Sequence, residues 1–485
     1  MPQTGVAGRM VRLAGLLVLA VAPLLLLLAP GDNPIRGAGF DKIDLGGLPE
    51  LRARNGLLQA TLTAAPQTIH IGSITFPGAA FNLAYGGPVL RLHPGDLLRL
   101  HLINHMPDGI NLHFHGMRVS PSGHGDNMHI LVPPDGYFDY DIRIPPSHPS
   151  GLFWYHDHAF GAAEPHVMAG LSGALLIEGF AAQFKSLADI PQKLVVLKDW
   201  AVPGCTGDEL KTALHCRVVS IDGQANWADT LPPGGTELWR ISNQGANLTI
   251  HLAAPGLTLR IVGRDGLAAT EGTDAETLTI MPASRLDVLV TKTTVGTAPL
   301  LATGVPTGSG AGFSVRRTLG SVTLASPPPT APLPAPIFPH QQDLRRSPVD
   351  ARRLVVFAEN VDATKFTINS RRFDPARTDF IAPLGSIEEW TIRNTTDDFH
   401  VFHIHQVAFQ VTEINHQPQE FGGFADNVEV PARGEIKLLI PFTDPHIVGH
   451  FMFHCHVLNH EDRGMMANIE VQRPGLFRIC RVPGP

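Results

Sequence analysis

A ten-residue pattern recurs three times along this 485-residue chain and limits the folds that it can adopt. Each copy begins with Gly and ends with Asn: GDLLRLHLIN at 95–104, GGTELWRISN at 234–243 and GSIEEWTIRN at 385–394. Apolar and polar residues alternate near the end of each copy, and this period of two predicts a strand with one buried face. The copies lie about 140 to 150 residues apart, which is the size of one domain.

The repeat divides the chain into three units that we expect to be β-sandwiches. Gly (48 residues) and Pro (42 residues) are abundant without a short repeat, as is typical of a turn-rich all-β protein. The stretch SPPPTAPLPAPIFP predicts an extended linker between the second and third units. We place the units at residues 56–182, 190–326 and 351–475, with the linker at 327–350.

The N-terminal 1–36 segment predicts export. Arg9 and Arg12 precede an apolar run at 13–29, which is typical of a secretory signal, and an uncleaved membrane anchor is the alternative. Either one predicts a periplasmic or extracellular protein. The formal charge of −7 without a basic run argues against a nucleic-acid partner.

Three of the four cysteines have no predicted metal role. Cys205 and Cys216 lie close together in a Gly-containing stretch and are a candidate disulfide in an oxidising compartment. Cys480, near the C-terminus, is interpreted as a free thiol. Cys455 differs from them because it stands between two histidines.

Histidines occur in four groups with strand spacing. In a strand, residues i and i+2 point to the same face, so each His-x-His pair aims two imidazoles together. The ten imidazoles exceed what one metal ion can bind, which predicts a cluster of ions. The groups are His113 and His115; His156 and His158; His400, His403 and His405; and His454, His456 and His460.

The first and third units place their histidines in the same register. The position nine residues after the closing Asn of the repeat is His113 in the first unit, His403 in the third and Leu252 in the middle unit. Further along, Asp157 and Cys455 occupy matching positions in HPSGLFWYHDH and HIVGHFMFHCH. We therefore expect metal ligands from the two outer units and none from the middle unit.

The string HCHVLNHEDRGMM, which begins at His454, is the most specific signal. Cys455, His460 and Met465 offer a thiolate, an imidazole and an axial thioether from one loop. With one further His they form the ligand set of a blue-copper site. His454 and His456 point away from Cys455 but are bonded to it, which gives electrons a short covalent route to a second centre.

These groups resemble the four motifs of the three-domain multicopper oxidases, HxHG, HxH, HxxHxH and HCHxxxHxxxxM, in the same order. The resemblance covers nearly all of the chain beyond the export segment. It implies an all-β fold of three consecutive cupredoxin-like Greek-key β-sandwiches that bind four copper ions. It also implies one-electron oxidation of a donor coupled to four-electron reduction of O2 to water.

The same resemblance implies a role for each ligand position, with the cluster between the outer units. The type 1 copper would be held by His400, Cys455, His460 and Met465, the type 2 copper by His113 and His403, and the type 3 pair by His115, His156, His158, His405, His454 and His456.

Two carboxylates are candidates for supplying protons to oxygen. Glu461 follows His460, and the His-Glu-Asp string resembles the bacterial subgroup in which that Glu relays protons. A structural contact to the metal ligands is the alternative for Glu461. Asp126, in HGDN, resembles the carboxylate near the type 2 copper. His101, His148 and His446 are interpreted as structural.

The electron donor is less constrained, because loops on one fold vary freely. A phenol-like donor of the laccase type is our first prediction, docked at an exposed edge of a type 1 histidine. Oxidation of Cu(I) or Fe(II) is the alternative. The ten Met residues form no methionine-rich tract, which disfavours Cu(I), whereas Asp397 and Asp398 precede His400 and would suit Fe(II).

Two other classes are weaker alternatives. A copper-free structural relative would have lost ligands, yet all twelve ligand positions are filled. A copper nitrite reductase has two domains and a mononuclear catalytic copper, which three units and ten paired histidines disfavour. The resemblance implies a monomer, which is the default oligomeric state of this family.

Overall fold

The structure is a computed structural model that describes residues 39–475 except 83–84, 185, 203, 205–216, 307–312, 328–334 and 361–363. The predicted export segment, the candidate disulfide, Cys480 and part of the linker lie outside these residues. The described chain folds into six β-sheets, two for each unit, which confirms the all-β class. No helix among the described residues is both long enough and apolar enough to span a bilayer.

The first unit consists of two sheets with a shared apolar core. Two strands precede residue 56, β1 (Ile43–Asp44) and β2 (Glu50–Arg52). The others are β3 (Leu57–Ile71), β4 (Ile74–Phe81), β5 (Val89–Leu92), β6 (Leu97–Asn104), β7 (His113–His115), β8 (Tyr137–Arg143), β9 (Gly151–His156) and β10 (Ser172–Ile177). The strand orders are β4-β3-β6-β8 and β2-β5-β10-β9-β7. Leucines of β3 and β6 pack against Phe153 and Tyr155 of the second sheet.

The second unit is built in the same way. Its strands are β11 (Gln192–Ala201), β12 (Arg217–Ile221), β13 (Trp227–Thr230), β14 (Thr236–Asn243), β15 (Leu248–Ala253), β16 (Thr258–Arg264), β17 (Leu267–Ala275), β18 (Thr277–Ile280), β19 (Arg285–Thr291), β20 (Gly296–Pro306) and β21 (Phe313–Leu324). One sheet has the order β1-β11-β14-β19-β16-β17, with β12 paired to β11, and the other β13-β21-β20-β15-β18. Strand β1 therefore ties the start of the described chain to the second unit.

The third unit completes the series. Its strands are β22 (Ala351–Glu359), β23 (Phe366–Ile368), β24 (Phe380–Pro383), β25 (Ser386–Asn394), β26 (His400–Ile404), β27 (Gln410–Ile414), β28 (Gln417–Pro418), β29 (Asn427–Val430), β30 (Glu435–Phe442), β31 (Gly449–Cys455) and β32 (Met466–Gln472). The orders are β23-β22-β25-β30-β27-β28 and β24-β32-β31-β26-β29. The unit boundaries given above remain predictions.

The repeated decapeptide has one structural role in all three units. Strands β6, β14 and β25 each lie between a parallel partner earlier in the chain and an antiparallel partner later in it. The closing residue, Asn104, Asn243 or Asn394, turns its side chain back to hold the following loop. In each case Nδ2 donates to two or more backbone carbonyls and Oδ1 accepts a backbone N–H two residues on.

Two short helices join the outer units beside the histidine-bearing strands. They are α1 (Ala163–Ala169) and α2 (Leu458–Asp462), and three 3-10 helices lie at Ala181–Gln183, Leu344–Arg346 and Pro445–Ile447. The carboxylate of Asp462 accepts the backbone N–H groups of Gly161, Ala163 and Glu164 at 2.8–3.2 Å. A carboxylate is favourable at this helix end because it satisfies otherwise unpaired N–H groups.

Trp390 is expected to be essential to the third core. Its side chain is fully buried, and its ring centroid lies 5.2 Å from that of Phe380 and 5.0 Å from that of Phe453. Trp390→Ala should lower the free energy of unfolding by about 3–5 kcal/mol, measured by chemical denaturation. Leu354→Ala on the neighbouring strand is the control, since Leu354 is 45% exposed, and should change it by less than about 0.5 kcal/mol. Equal free energies of unfolding for the two variants would contradict this prediction.

Candidate metal centre

Four strands bring the predicted histidines to the interface between the outer units. In the first unit, β7 pairs with β9 so that His113 lies opposite His156. In the third unit, β26 pairs with β31 so that His403 lies opposite His454. The alternation of side chains along these strands then points each His-x-His pair into the interface.

Eight of the ten histidines meet there, and we call this group the histidine cluster. Every member is buried, and rings from the two units stack on one another. The centroid of His113 lies 3.8 Å from that of His405, and the centroid of His115 lies 3.9 Å from that of His403. The members are His113, His115, His156, His158, His403, His405, His454 and His456.

Several trios of the cluster bring their ring nitrogens close together, and in one of them the nitrogens lie within hydrogen-bond distance. Nε2 of His454 lies 3.3 Å from Nε2 of His158 and 3.1 Å from Nε2 of His405. Two facing imidazole nitrogens need either a shared proton or a shared cation between them. A second trio, His115, His156 and His456, has ring centroids 4.9–6.1 Å apart. These are the six residues that the sequence predicted for a pair of ions.

The remaining two members are each fixed through one ring nitrogen. Nδ1 of His113 lies 3.1 Å from Oδ2 of Asp126, and Nδ1 of His403 donates to the backbone oxygen of Asp426 at 2.8 Å. Nε2 of both rings is buried without a hydrogen-bond partner among the described residues. A ligating histidine is typically held in this way, with its second nitrogen hydrogen-bonded and its first free for a metal.

Burial favours the neutral form of these rings. It lowers the pKa of His113 and His403 well below the usual range, and neighbouring imidazoles lower it further. Burial likewise lowers the pKa of His454 to about 4. Neutral imidazole is the form that binds a metal ion.

A second group, the Cys455 set, lies on the other side of the same strand. Nδ1 of His400 and Nδ1 of His460 are 3.0 Å apart, and Sγ of Cys455 lies 3.5 Å and 3.6 Å from them. Met465 is buried in the same apolar cluster as Cys455 and its backbone pairs with Cys455 and His460. Burial raises the pKa of the Cys455 thiol to about 12, whereas a bound cation would deprotonate it.

The edge of the Cys455 set is covered, contrary to the predicted exposed histidine edge. His400 and His460 are both fully buried. The ring of Phe366 stacks on His460 at 4.3 Å, and Oγ1 of Thr396 lies 2.9 Å from Nε2 of His400. The segment at 366–373 covers the loop of His460 because backbone N–H groups of Phe366 and Phe373 bond to it.

Both predicted carboxylates touch the histidine cluster. Oε2 of Glu461 lies 2.9 Å from Nδ1 of His454, and Oε1 lies 3.6 Å from Nδ1 of His158. Asp126 contacts His113 and accepts from Nε2 of Gln406 at 2.7 Å. Burial raises the pKa of Glu461 and that of Asp126 to about 7.

The structure adds Asp426, which the sequence analysis did not identify. Its Oδ1 lies 3.2 Å from Nε2 of His115, and it is fully enclosed. Asp426 immediately precedes β29, the partner of the strand that carries His403. Only this pairing of strands places it at the cluster, so no local sequence pattern indicates it.

The histidines interpreted as structural have local hydrogen-bond partners. Nδ1 of His101 pairs with Asp139 at 2.7 Å, and Nδ1 of His446 pairs with Asp444 at 2.7 Å. Nε2 of His148 accepts the backbone N–H of Arg118 at 3.0 Å. None of the three belongs to the histidine cluster.

Comparison with known proteins gives a consistent result. The chain matches three domain families, each described as multicopper oxidase, over residues 65–181, 154–310 and 345–475. It is 24% identical over 408 residues to multicopper oxidase mco of Staphylococcus haemolyticus, which covers 79% of this chain and 82% of that protein. It is also 24% identical over 428 residues to the cell division protein FtsP of Edwardsiella tarda, covering 81% and 84%.

Among solved structures, the multicopper oxidase of Campylobacter jejuni, described as a metallo-oxidase, superposes with a TM-score of 0.76 at 25% identity. The match covers 90% of this chain and 96% of that one. The all-β architecture and the cupredoxin-like units expected from the sequence are thereby confirmed. The chain belongs to the multicopper oxidase family.

Proposed function

We propose that the protein binds four copper ions and couples the one-electron oxidation of a donor to the four-electron reduction of O2 to water. The observation that supports this most strongly is the enclosed cluster of eight histidines joined to the Cys455 set by peptide bonds. We assign His400, Cys455, His460 and axial Met465 to the type 1 ion, His113 and His403 to the type 2 ion, and the two histidine trios to the type 3 pair.

The ligand atoms offered at the two sites fit copper. One thiolate, two imidazoles and a thioether are the ligands of blue-copper sites, and imidazole suits copper in general. Buried ring nitrogens of His113, His156 and His403 have no partner among the described residues, which leaves them free to ligate. Bound at these two sites, copper would take single electrons from the donor and deliver them to O2.

Residues of the chain provide the electron route between the two sites. Cys455 is joined by peptide bonds to His454 and to His456, one in each trio. The backbone N–H of Cys455 donates to the oxygen of Met465 at 3.1 Å and that of His456 donates to Val401 at 2.7 Å, which fixes the segment. An electron leaving the sulfur therefore has only covalent bonds to cross before it reaches either ring.

Glu461 and Asp126 are suited to supply protons to oxygen. Both are buried carboxyl groups in contact with cluster histidines, and a carboxyl group positioned in this way can donate a proton and take one up again. Glu461 lies against the trio of His158, His405 and His454, and Asp126 lies behind His113. The two groups would therefore serve different sides of the cluster.

A phenol-like donor is the first choice of substrate. The ring of Phe160 is 44% exposed and meets that of Phe373 edge-on, with centroids 4.9 Å apart. The backbone N–H of Phe373 donates to the oxygen of Gly464, the residue before Met465, at 3.1 Å. The exposed ring of Phe160, packed against the buried ring of Phe373, could stack a phenol ring. Laccases of Bacillus species are among the relatives of the chain.

A metal ion is the second candidate donor, because carboxylates lie at the edge of the Cys455 set. Glu359 is opposite Phe366 in the β22–β23 register, and its Oε2 is buried without a hydrogen-bond partner among the described residues. Burial and the negative charges of Asp398 and Asp397 raise the pKa of Glu359. A cation bound there would relieve this repulsion, and carboxylate oxygens suit a hard metal ion.

A copper-free role is less consistent with the site. All twelve predicted ligand positions are present, and burying eight imidazoles without a cation leaves ring nitrogens unsatisfied. We also propose that the protein is exported, on the basis of the 1–36 segment, with membrane anchoring by that segment as the alternative. A monomer is proposed because it is the default state of the family.

Oxygen uptake by copper-loaded protein tests this function. We expect a visible thiolate-to-copper band, and uptake with little peroxide when a phenol, Fe(II) or Cu(I) is supplied. The fastest donor identifies the substrate class. Full copper loading without colour and without uptake would refute the proposal.

Asp126→Asn should retain all bound copper but slow oxygen reduction by about 100-fold or more, because the amide cannot donate an acidic proton. Asp139→Asn is the control, since that carboxylate pairs with His101 at the surface of the same unit. Reoxidation of the reduced, copper-loaded protein by O2 gives the rate. Normal turnover in Asp126→Asn would remove this residue from the mechanism.

Glu359→Gln and Asp398→Asn should each lower kcat/KM for Fe(II) by about tenfold, because they remove charge that attracts the cation. Phenol oxidation should be unaffected. Glu389→Gln is the matched control, since Glu389 pairs with Arg352 on an exposed face of the same unit. An equal loss with both donors would show that the carboxylates do not select a metal-ion donor.

A further inference from the structure

The middle unit contributes no histidine to the cluster, yet one of its arginines reaches the edge of that cluster. Arg285 is the first residue of β19 and is fully buried. Its Nη1 donates to Oδ1 of Asp426 at 2.9 Å, and its Nη2 donates to Oδ2 of the same carboxylate. Two parallel bonds of this kind fix both position and orientation, which a lysine cannot do.

The guanidinium contacts all three units at once. Nε donates to the backbone oxygen of Leu152 in the first unit at 3.3 Å, and Nη1 also donates to Ala283 in the second at 2.8 Å. Asp426 belongs to the third unit. The planar fork of Arg285 is thus almost fully hydrogen-bonded at the junction where the units meet.

Asp426, which Arg285 holds in place, contacts one histidine from each outer unit. Its side chain lies 3.2 Å from Nε2 of His115, and its backbone oxygen accepts from Nδ1 of His403 at 2.8 Å. Asp265, also from the middle unit, accepts the backbone N–H groups of Asp426 and Asn427 at 3.2 Å. Two side chains of the middle unit therefore hold the segment that orients these two rings.

The pair also explains the glycine in the motif HFHG. Gly116 has a φ of +82°, and a Cβ at this position would lie 2.5 Å from Nη2 of Arg285 and 2.6 Å from Oδ2 of Asp426. Any side chain would displace the pair. The contact between Arg285 and Asp426 therefore requires glycine at the position after His115.

We propose that Arg285 is a positioning residue of the three-copper site proposed for the histidine cluster, and that it acts through Asp426 on His115 and His403. This inference rests on the proposed function. The middle unit is then a structural part of the centre although it supplies no ligand. Without Arg285 the buried carboxylate of Asp426 would lose its ion-pair partner, and a buried charge without a counter-charge is strongly unfavourable. The segment at 426–427 would move, and the two rings with it.

Arg285→Met tests the proposal, with Arg240→Met as the matched control. Arg240 is a second buried arginine of the same unit that pairs with Asp287, also on β19, and bonds to Gln192. Both variants lose a buried ion pair and should lose similar stability. Only Arg285→Met should change the electron paramagnetic resonance signal of the type 2 copper and reduce cluster copper or oxygen uptake by about 10–100-fold. The visible band of the Cys455 set should persist.

Two further variants test whether the parallel bonds of Arg285 matter and whether Arg285 acts through Asp426. Lysine keeps the charge without the two parallel bonds, so Arg285→Lys should recover stability but only part of the cluster signal. If Arg285 acts through Asp426, Arg285→Met with Asp426→Asn should be no worse than the poorer single variant. Additive losses would overturn the proposed route through Asp426.

Other outcomes separate this inference from the proposed function. An unchanged type 2 signal and unchanged oxygen uptake in Arg285→Met would overturn the inference, as would equal losses in Arg240→Met. Failure of the parent protein to bind copper at the cluster would instead refute the proposed function.

Discussion

The burial of eight imidazoles against one another is the constraint on which the rest of the structure depends. Ring nitrogens removed from water must find a hydrogen bond or a cation, and several of these nitrogens have no hydrogen-bond partner among the described residues. The first and third units supply four rings each, so neither unit can form the cluster alone. Cations shared by the two sets would satisfy the nitrogens and also hold the units together.

Contacts between the surrounding elements hold the three units together around the histidine cluster. Asp462 of α2 fixes the loop of the Cys455 set to the start of α1 in the first unit. Asn459 and Asn247 contact the same Glu164, so the second unit joins the arrangement there as well. On the other side of the cluster, Arg285 makes a second junction of all three units. The site is therefore enclosed by contacts between units rather than within one unit.

Much of the fold and of the ligand set could be predicted because the relevant signals are local. Alternation along β7, β26 and β31 depends only on strand geometry, and the closing Asn of the repeat holds a loop that begins two residues later. The all-β class was predicted from such local signals, whereas the family and the cupredoxin-like units were predicted from the resemblance of the four histidine motifs; all three predictions are confirmed.

The remaining features depend on distant pairings that leave no local pattern. The two-residue strand β1 joins a sheet of the second unit in parallel, and Asp426 meets Arg285 across 141 positions of sequence. Burial of His460 under Phe366 likewise follows from packing between separate segments. The expected exposed histidine edge was wrong for this reason, since a motif fixes the ligands of a site but not what covers it.

Anomalous X-ray scattering from copper-loaded crystals tests the central claim most directly. The proposed function predicts four copper peaks: one among His400, Cys455 and His460, and three within the histidine cluster, with one of the three between His113 and His403. A single peak at the Cys455 set, with none among the eight histidines, would contradict the account.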